Sequence, residues 1–324
     1  MKLASFRRAN DIRVGIVGDD EQLFDLQAAA EQAGDAASLF ASMQALIESG
    51  ERGLDYARHL QARFAADPRF SCTLNDIVLL PPVPRPTLIR DFSVFPIHIR
   101  QAPVGMQKLA ARIDGKPAPD ITPADHVPAV YRNQPIYYRG NHLSVVGHGA
   151  TVRWPRYSQY MDYELEFGIF LGKGGANIAA KDARDHIFGF SIFNDFSARD
   201  AQMTEMRSML GPAKGKDFDT GNAIGPWIVT ADEIPDPYSL QMAARVNGKT
   251  WSRGDSSGML HSFEDMIAFA SRDETLSPGE FFGSGTMGNG CGLEQDRYLE
   301  HGDVVELEVE KIGILRNTVV RQDQ

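Results

Sequence analysis

Asp162-Tyr163-Glu164-Leu165-Glu166-Phe167-Gly168-Ile169-Phe170-Leu171-Gly172 sets two glutamates at the head of an apolar, strand-forming run. Residues 167–171 are apolar or glycine and rich in β-formers, which predicts a buried strand ending at Gly172. A strand sends residues i and i+2 to one face, so Glu164 and Glu166 point together. Two like charges converging beside a core are costly unless a cation or a proton neutralises them. A hard divalent metal does so most simply, because Mg²⁺, Mn²⁺ and Ca²⁺ prefer carboxylate oxygens. Spacing alone does not decide the matter. An exposed sheet edge would leave both glutamates in water, and Glu306-Leu307-Glu308 repeats the pattern with no chemistry attached.

Outward from this strand, composition sets the frame. The chain has 324 residues, 43% of them apolar, enough for one large domain and a small one. A formal net charge of −10 argues against a nucleic-acid partner, which needs clustered Lys and Arg. A soluble enzyme of small metabolites is the expectation instead. Cys72 and Cys291 are too few for a disulfide framework and suit a reducing cytosol. The first residues lack an apolar secretory core, and no run reaches the ~18 apolar residues of a membrane helix. A cytoplasmic location without membrane contact is therefore expected.

Residues 2–17 predict a strand pair around Val14-Gly15-Ile16-Val17. Helical patterns follow over 23–33, 36–47 and 54–66, with Gly50 as a stop. Leu80-Pro81-Pro82-Val83-Pro84-Arg85-Pro86 then suits neither a helix nor a central strand. It is read as a proline-rich linker, 81–86, dividing a small N-terminal α/β domain, 1–80, from a catalytic domain, 81–324. Beyond it, short β runs dominate: 136–138, 144–146, 188–193, 227–229, 241–246 before the turn Asn247-Gly248, and 304–309. Helices are few (180–185, 200–210 and 262–270), and no regular β–α alternation appears. The expected class is α+β, mostly β, with a roll-like core.

Four further segments carry candidate chemistry. In Asp91-Phe92-Ser93-Val94-Phe95-Pro96-Ile97-His98, Asp91 has the chemistry of a helix N-cap, and Pro96 requires any helix to begin near Phe95. Phe193-Asn194-Asp195-Phe196-Ser197-Ala198-Arg199-Asp200-Ala201-Gln202 ends an apolar run on an aspartate that could cap the next helix. Residues 211–221 form a glycine-punctuated loop with Lys214 and Lys216; Asp217 follows Lys216, so the spacing is not that of a phosphate loop. Gly283-Ser284-Gly285-Thr286-Met287-Gly288-Asn289-Gly290-Cys291-Gly292-Leu293-Glu294 would let backbone approach a ligand closely.

Taken together, in this order and spacing, these segments resemble the fumarylacetoacetate hydrolase family from Pro81 to Val319. The resemblance implies a mixed β-roll catalytic domain of that type, dimeric in most members, behind a small N-terminal domain. It implies Asp91, Glu164, Glu166 and Asp195 as ligands of Mg²⁺ (or Mn²⁺ or Ca²⁺), with Lys216 and Thr220 completing the metal site just outside them. His98 would be the general base, oriented by Glu294. Arg199, Gln202 and Lys216 would face the substrate oxygens, and Thr286 its far end. Four carboxylates could hold a cation that a chelating diketone then joins, and a His–Glu pair suits water activation. The expected function is hydrolysis of a C–C bond in a β-diketone or 2,4-diketo acid from aromatic or sugar-acid breakdown. Decarboxylation, hydration or isomerisation of a 2-oxo acid at the same site is the alternative. Two positions depart from the family pattern: Ser93 stands where hydrolases of this type commonly carry a tyrosine, and a second tyrosine of the animal enzyme falls near Met206, implying a substrate different from or less polar than fumarylacetoacetate. Trp154, Tyr157 and Tyr160 are candidates to line the pocket instead.

Overall fold

The computed structural model describes residues 1–18, 21–34 and 36–322. Its organising element is the strand Leu165–Leu171, all seven residues of which are buried. Alternation divides its side chains between two cores. Phe167, Ile169 and Leu171 enter one core with Phe190, Phe263 and Leu307. Phe170 enters a second core with Leu46, Ile47, Leu54, Phe188 and Phe281. A strand covered on both faces needs apolar residues at every position, which is why its sequence reads as a continuous run.

Ile187–Asp195 flanks this strand on one side and Phe281–Gly283 on the other, both antiparallel. The sheet continues past Phe281–Gly283 to Ile89–Phe92 and Tyr137–Gly140. In the other direction it runs through Asn222–Thr230 to Lys2–Arg8, Asp11–Val17, Gln22–Asp25 and Ser71–Thr73, a 12-stranded sheet in all. A second, five-stranded sheet closes the roll over the first core; it contains Gln241–Val246, Val304–Val309 and Gly313–Arg321. The mostly β, α+β architecture expected from the sequence is the one observed.

The N-terminal segment has the expected strand pair, but the helix expected over 36–47 is a 3₁₀ turn, Ala37–Phe40, before a helix that starts at Met43, and 81–88 is irregular. Yet it is joined to the rest by backbone: Lys2 pairs with Val229 and Leu3 with Ile228. Its helices pack their apolar faces against the aromatic residues of the second core. Residues 22–25, expected at the head of a helix, form a strand, and Asp25 caps the shorter helix Leu26–Ala33 through Ala28 N. Gly50 leaves helical geometry as expected, with φ 58° and ψ −144°, so Met43–Phe64 is two helical segments meeting at a kink there. No helix among the described residues is long and apolar enough to cross a membrane.

Candidate metal centre and active site

Strand order brings the acidic residues together. Asp91 lies in Ile89–Phe92 with Gly283 and Tyr138 as register partners, so the cap suggested by its residue type is not its role. The helix begins at Pro96, after Phe95, as the proline requires. Glu166 sits in the central strand, Asp195 ends the neighbouring one, and Glu164 bridges to Cys291 just before the central strand begins. Asp91, Glu166 and Asp195 each offer an oxygen within 4.8 Å of the others. The closeness depends on Gly283, where an added Cβ would meet Asp91 Oδ1 at 2.5 Å.

Five buried carboxylates (Asp91, Asp162, Glu164, Glu166 and Asp195) face two buried cations, Lys216 and Arg199. Lys216 Nζ lies 2.5 Å from Glu164 Oε2 and 2.5 Å from Asp195 Oδ2. Arg199 Nε donates to Asp162 Oδ2 at 2.9 Å, and its guanidinium pairs with the same oxygen at 2.7 Å and with Glu164 Oε1 at 2.8 Å. Tyr138 donates its hydroxyl to Asp195 Oδ2 at 2.5 Å. Glu166 accepts from Gly285 N at 3.0 Å and Thr286 Oγ1 at 3.2 Å. Asp91 Oδ1 and Asp195 Oδ1 have no hydrogen-bond partner despite being buried.

The charge imbalance appears in the titration of the groups. Burial, then the neighbouring Asp195, pushes Asp91 well above the usual carboxylate range; burial and Asp91 do the same to Glu166. Burial raises Asp195 to about 6 even with Lys216 beside it. Glu164 goes the other way: against the effect of burial, Lys216 and Arg199 hold it well below the usual range. An all-carboxylate donor set with two orphaned buried oxygens fits a hard divalent cation.

This predicts a pH-dependent metal effect on stability. Raised folded-state values for Asp91, Glu166 and Asp195 favour the metal-free fold at acid pH. That contribution is lost as pH rises through those values, about 6 for Asp195. A cation replaces the missing protons, so the gain in Tm from Mn²⁺ over EDTA should be larger at about pH 8 than at about pH 5. A gain that does not change with pH would rule out this account of the site.

Across the centre stands His98, the residue expected to act as base. His98 lies in the first turn of Pro96–Ile113, with Nδ1 3.4 Å from Glu294 Oε1. The Glu294 side chain is fully buried and accepts from Asn289 N at 3.1 Å and Cys291 N at 3.2 Å. Glu294 on Nδ1 leaves Nε2 as the nitrogen available to a substrate. His98, Glu164, Glu166, Lys216, Gln202 and Thr286 share a cavity of about 450 Å³ with Asp91. Ile99, Ala102, Pro103, Met106, Ile136 and Met206 form much of its apolar wall.

Residues 111–320 match the model of the fumarylacetoacetate (FAA) hydrolase C-terminal domain. The chain belongs to the fumarylacetoacetate hydrolase family. It is 30% identical over 326 residues to oxaloacetate tautomerase YisK of Bacillus subtilis (strain 168), covering 98% of this chain and 100% of that one. It is 33% identical over 281 residues to the human mitochondrial oxaloacetate tautomerase FAHD2A, covering 86% and 80%. The structure of maleylpyruvate hydrolase from Sphingobium sp. SYK-6, in complex with manganese(II) and pyruvate, superposes with a TM-score of 0.70. It is 22% identical, and all of both chains is covered.

Several residues depart from what the family resemblance implied. Arg199 does not line the cavity; Asp162 and Glu164 occupy its guanidinium, which is 1% exposed, so it acts on the site by holding Glu164. It also donates to Gln202 Oε1 at 2.9 Å, orienting the amide that does reach the cavity. Thr220 Oγ1 accepts from Arg153 N at 2.7 Å and is not among the residues around the cavity. Trp154 is a core residue, Tyr157 donates to Lys214 O, and Tyr160 packs edge-on against Tyr298. None of the three lines the cavity, whereas Ser93 and Met206 do. Tyr138 and Asp162 were not picked out from the sequence. Antiparallel pairing of 137–140 with 89–92 would have flagged Tyr138, but nothing local in the sequence announces that pairing.

Proposed function

We propose that this member of the family is a divalent-metal-dependent enzyme that moves a proton at the carbon beside the ketone of a 2-oxo dicarboxylic acid. It would interconvert the keto and enol forms of an oxaloacetate-like substrate. The observation that carries this reading is one His–Glu base opposite one carboxylate-lined metal centre across a single cavity. The names of the two relatives point to the same reaction, and pyruvate with manganese in the maleylpyruvate hydrolase structure supports a 2-oxo acid on a metal.

Asp91, Glu164, Glu166 and Asp195 would hold the ion, Mg²⁺ in the first instance, with Mn²⁺ or Ca²⁺ as substitutes. When bound, it would supply a chelation point for the substrate's carboxylate and keto oxygens and offset charge developing on the latter. From the keto form, His98 Nε2 takes the proton from the α-carbon while the keto oxygen gains one from solvent; in the reverse direction the enol oxygen gives up its proton to solvent and His98 returns one to the carbon. Glu294 holds the productive tautomer and offsets the imidazolium charge. Lys216 keeps Glu164 ionised, Gln202 and Thr286 offer polar groups to the substrate's ends, and the apolar wall limits water. Assembly as a two-fold homodimer belongs to the same proposal.

A second reading is hydrolysis of a C–C bond in an acylpyruvate or β-diketone, with His98 activating water in place of a carbon acid. The cavity of about 450 Å³ favours it to the extent that a four-carbon acid leaves room for water and an acyl group. Ultraviolet decay of enol-oxaloacetate, and cleavage of a panel of acylpyruvates, separate the two with Mg²⁺ or Mn²⁺ present. Accelerated enol decay without cleavage is expected. Cleavage of an acylpyruvate with no effect on the enol would overturn the tautomerase reading.

A further inference from the structure

The proposed base leaves Cys291 unused, although its thiol is fully buried and donates to Glu294 Oε2 at 3.3 Å. The same sulfur lies 4.0 Å from His98 Nδ1, and that nitrogen lies 3.4 Å from Glu294 Oε1. Tetrahedral zinc, with bonds of about 2.0–2.3 Å, separates its nitrogen, oxygen and sulfur ligands by about 3.3–3.6 Å. These two short contacts reach different oxygens of Glu294; with a single oxygen as the vertex the three ligand atoms lie within 4.8 Å of one another, so the triangle must contract by up to about 1.5 Å to seat the ion.

We propose that His98, Cys291 and Glu294 form a second metal site, for a borderline cation such as Zn²⁺, that switches the enzyme off. The two neighbouring centres select by ligand chemistry: carboxylates alone favour a hard ion, whereas thiolate and imidazole favour zinc or cobalt(II). Their adjacency is built into the fold, because Cys291 bridges to Glu164 by backbone. His98 borders the substrate cavity, so an ion would reach the three ligands past its ring. The backbone donors Asn289 N and Cys291 N orient the Glu294 carboxylate, as outer partners of metal ligands do. Without such an ion, burial and Glu294 keep the thiol protonated; binding releases that proton to solvent. A metal on Nδ1 leaves the imidazole proton on Nε2, so the ring can no longer accept one from substrate. Only this inhibitory consequence rests on the proposed role of His98 as base.

The test is titration of the Mg²⁺-loaded protein with Co²⁺. One equivalent per chain should produce a near-ultraviolet thiolate-to-cobalt charge-transfer band. Cys291→Ser should lose the band, and Cys72→Ser should keep it. In turnover assays, zinc should inhibit without relief by excess Mg²⁺ but with recovery on chelation, and Cys291→Ser should be at least about tenfold less sensitive. If Cys291→Ser does not fold, His98→Asn should weaken Co²⁺ binding while leaving Mg²⁺ affinity unchanged. A wild-type protein without the band, a band that survives in Cys291→Ser, or zinc inhibition reversed by Mg²⁺ would overturn the proposal. The cobalt spectrum involves no substrate, so its outcome is independent of which reaction the enzyme catalyses.

Discussion

Glu166→Gln and Glu164→Gln should both abolish metal-dependent turnover, yet only the second should cost the metal-free protein stability. Each removes one anionic oxygen donor, and Mn²⁺ affinity should fall by at least about 100-fold in either variant. Their surroundings differ. Glu166 is pressed by burial and by Asp91 toward its neutral form, and glutamine can still accept from Gly285 N through its carbonyl and donate its amide to Thr286 Oγ1. Its replacement relieves repulsion. Glu164 is held ionised by Lys216 and Arg199, both buried, and neutralising it leaves those cations with Asp195 and Asp162 alone. Removing one partner from a buried ion network typically costs about 3–5 kcal/mol, and the remaining carboxylates place the expected loss toward the lower figure. Denaturant unfolding in EDTA measures the difference. The contribution of Glu164 should be full above its unfolded value and disappear as pH falls through its depressed folded value. Unchanged Mn²⁺ affinity in both variants would eliminate the four-carboxylate centre, and equal stability losses would eliminate the charge argument.

What could be read in advance was local. Alternation in residues 164–171, the proline that sets the helix start at residue 96, and the turn at Asn247-Gly248 each follow from short-range sterics. Glu164 and Glu166 could be paired on that basis, but their burial could not. Glu306 and Glu308 share the spacing, yet they alternate with buried Val305, Leu307 and Val309 on a half-exposed strand and pair with Arg316 and Arg245. Both strands are hydrogen-bonded to neighbours on each side; the difference comes from the layers packed over both faces of Leu165–Leu171. The missed features depend on distant pairing in the same way. Tyr138 reaches Asp195 across 57 positions, and Arg199 reaches Asp162 across 37. The family resemblance implied the arginine at substrate; Asp162, three residues before the central strand, claims it first. The proline linker was legible as chain geometry, but a linker says nothing about whether the segments it joins share a sheet.

His98→Ala should slow proton transfer by about 10²–10⁴-fold while leaving Mn²⁺ affinity within about twofold of the parent. The imidazole is absent from the carboxylate set, so the metal centre should load normally; what is lost is the group that accepts a proton. Added imidazole should then restore part of the rate, since the vacated space opens onto the cavity. Glu294→Gln should also slow the reaction. The amide can bond to the ring but cannot offset its positive charge, and this carboxylate's oxygens already organise Asn289 N and Cys291 N. The same variants separate the two readings of the reaction. A tautomerase exchanges substrate hydrogen with solvent, so the parent enzyme in D₂O should place deuterium on the α-carbon, and His98→Ala should not. A hydrolase would instead place ¹⁸O from labelled water in a released carboxylate. The proposed function requires deuterium exchange without ¹⁸O incorporation. ¹⁸O in a cleavage product would transfer His98 from the carbon acid to water, and full activity in His98→Ala would remove it from the mechanism altogether.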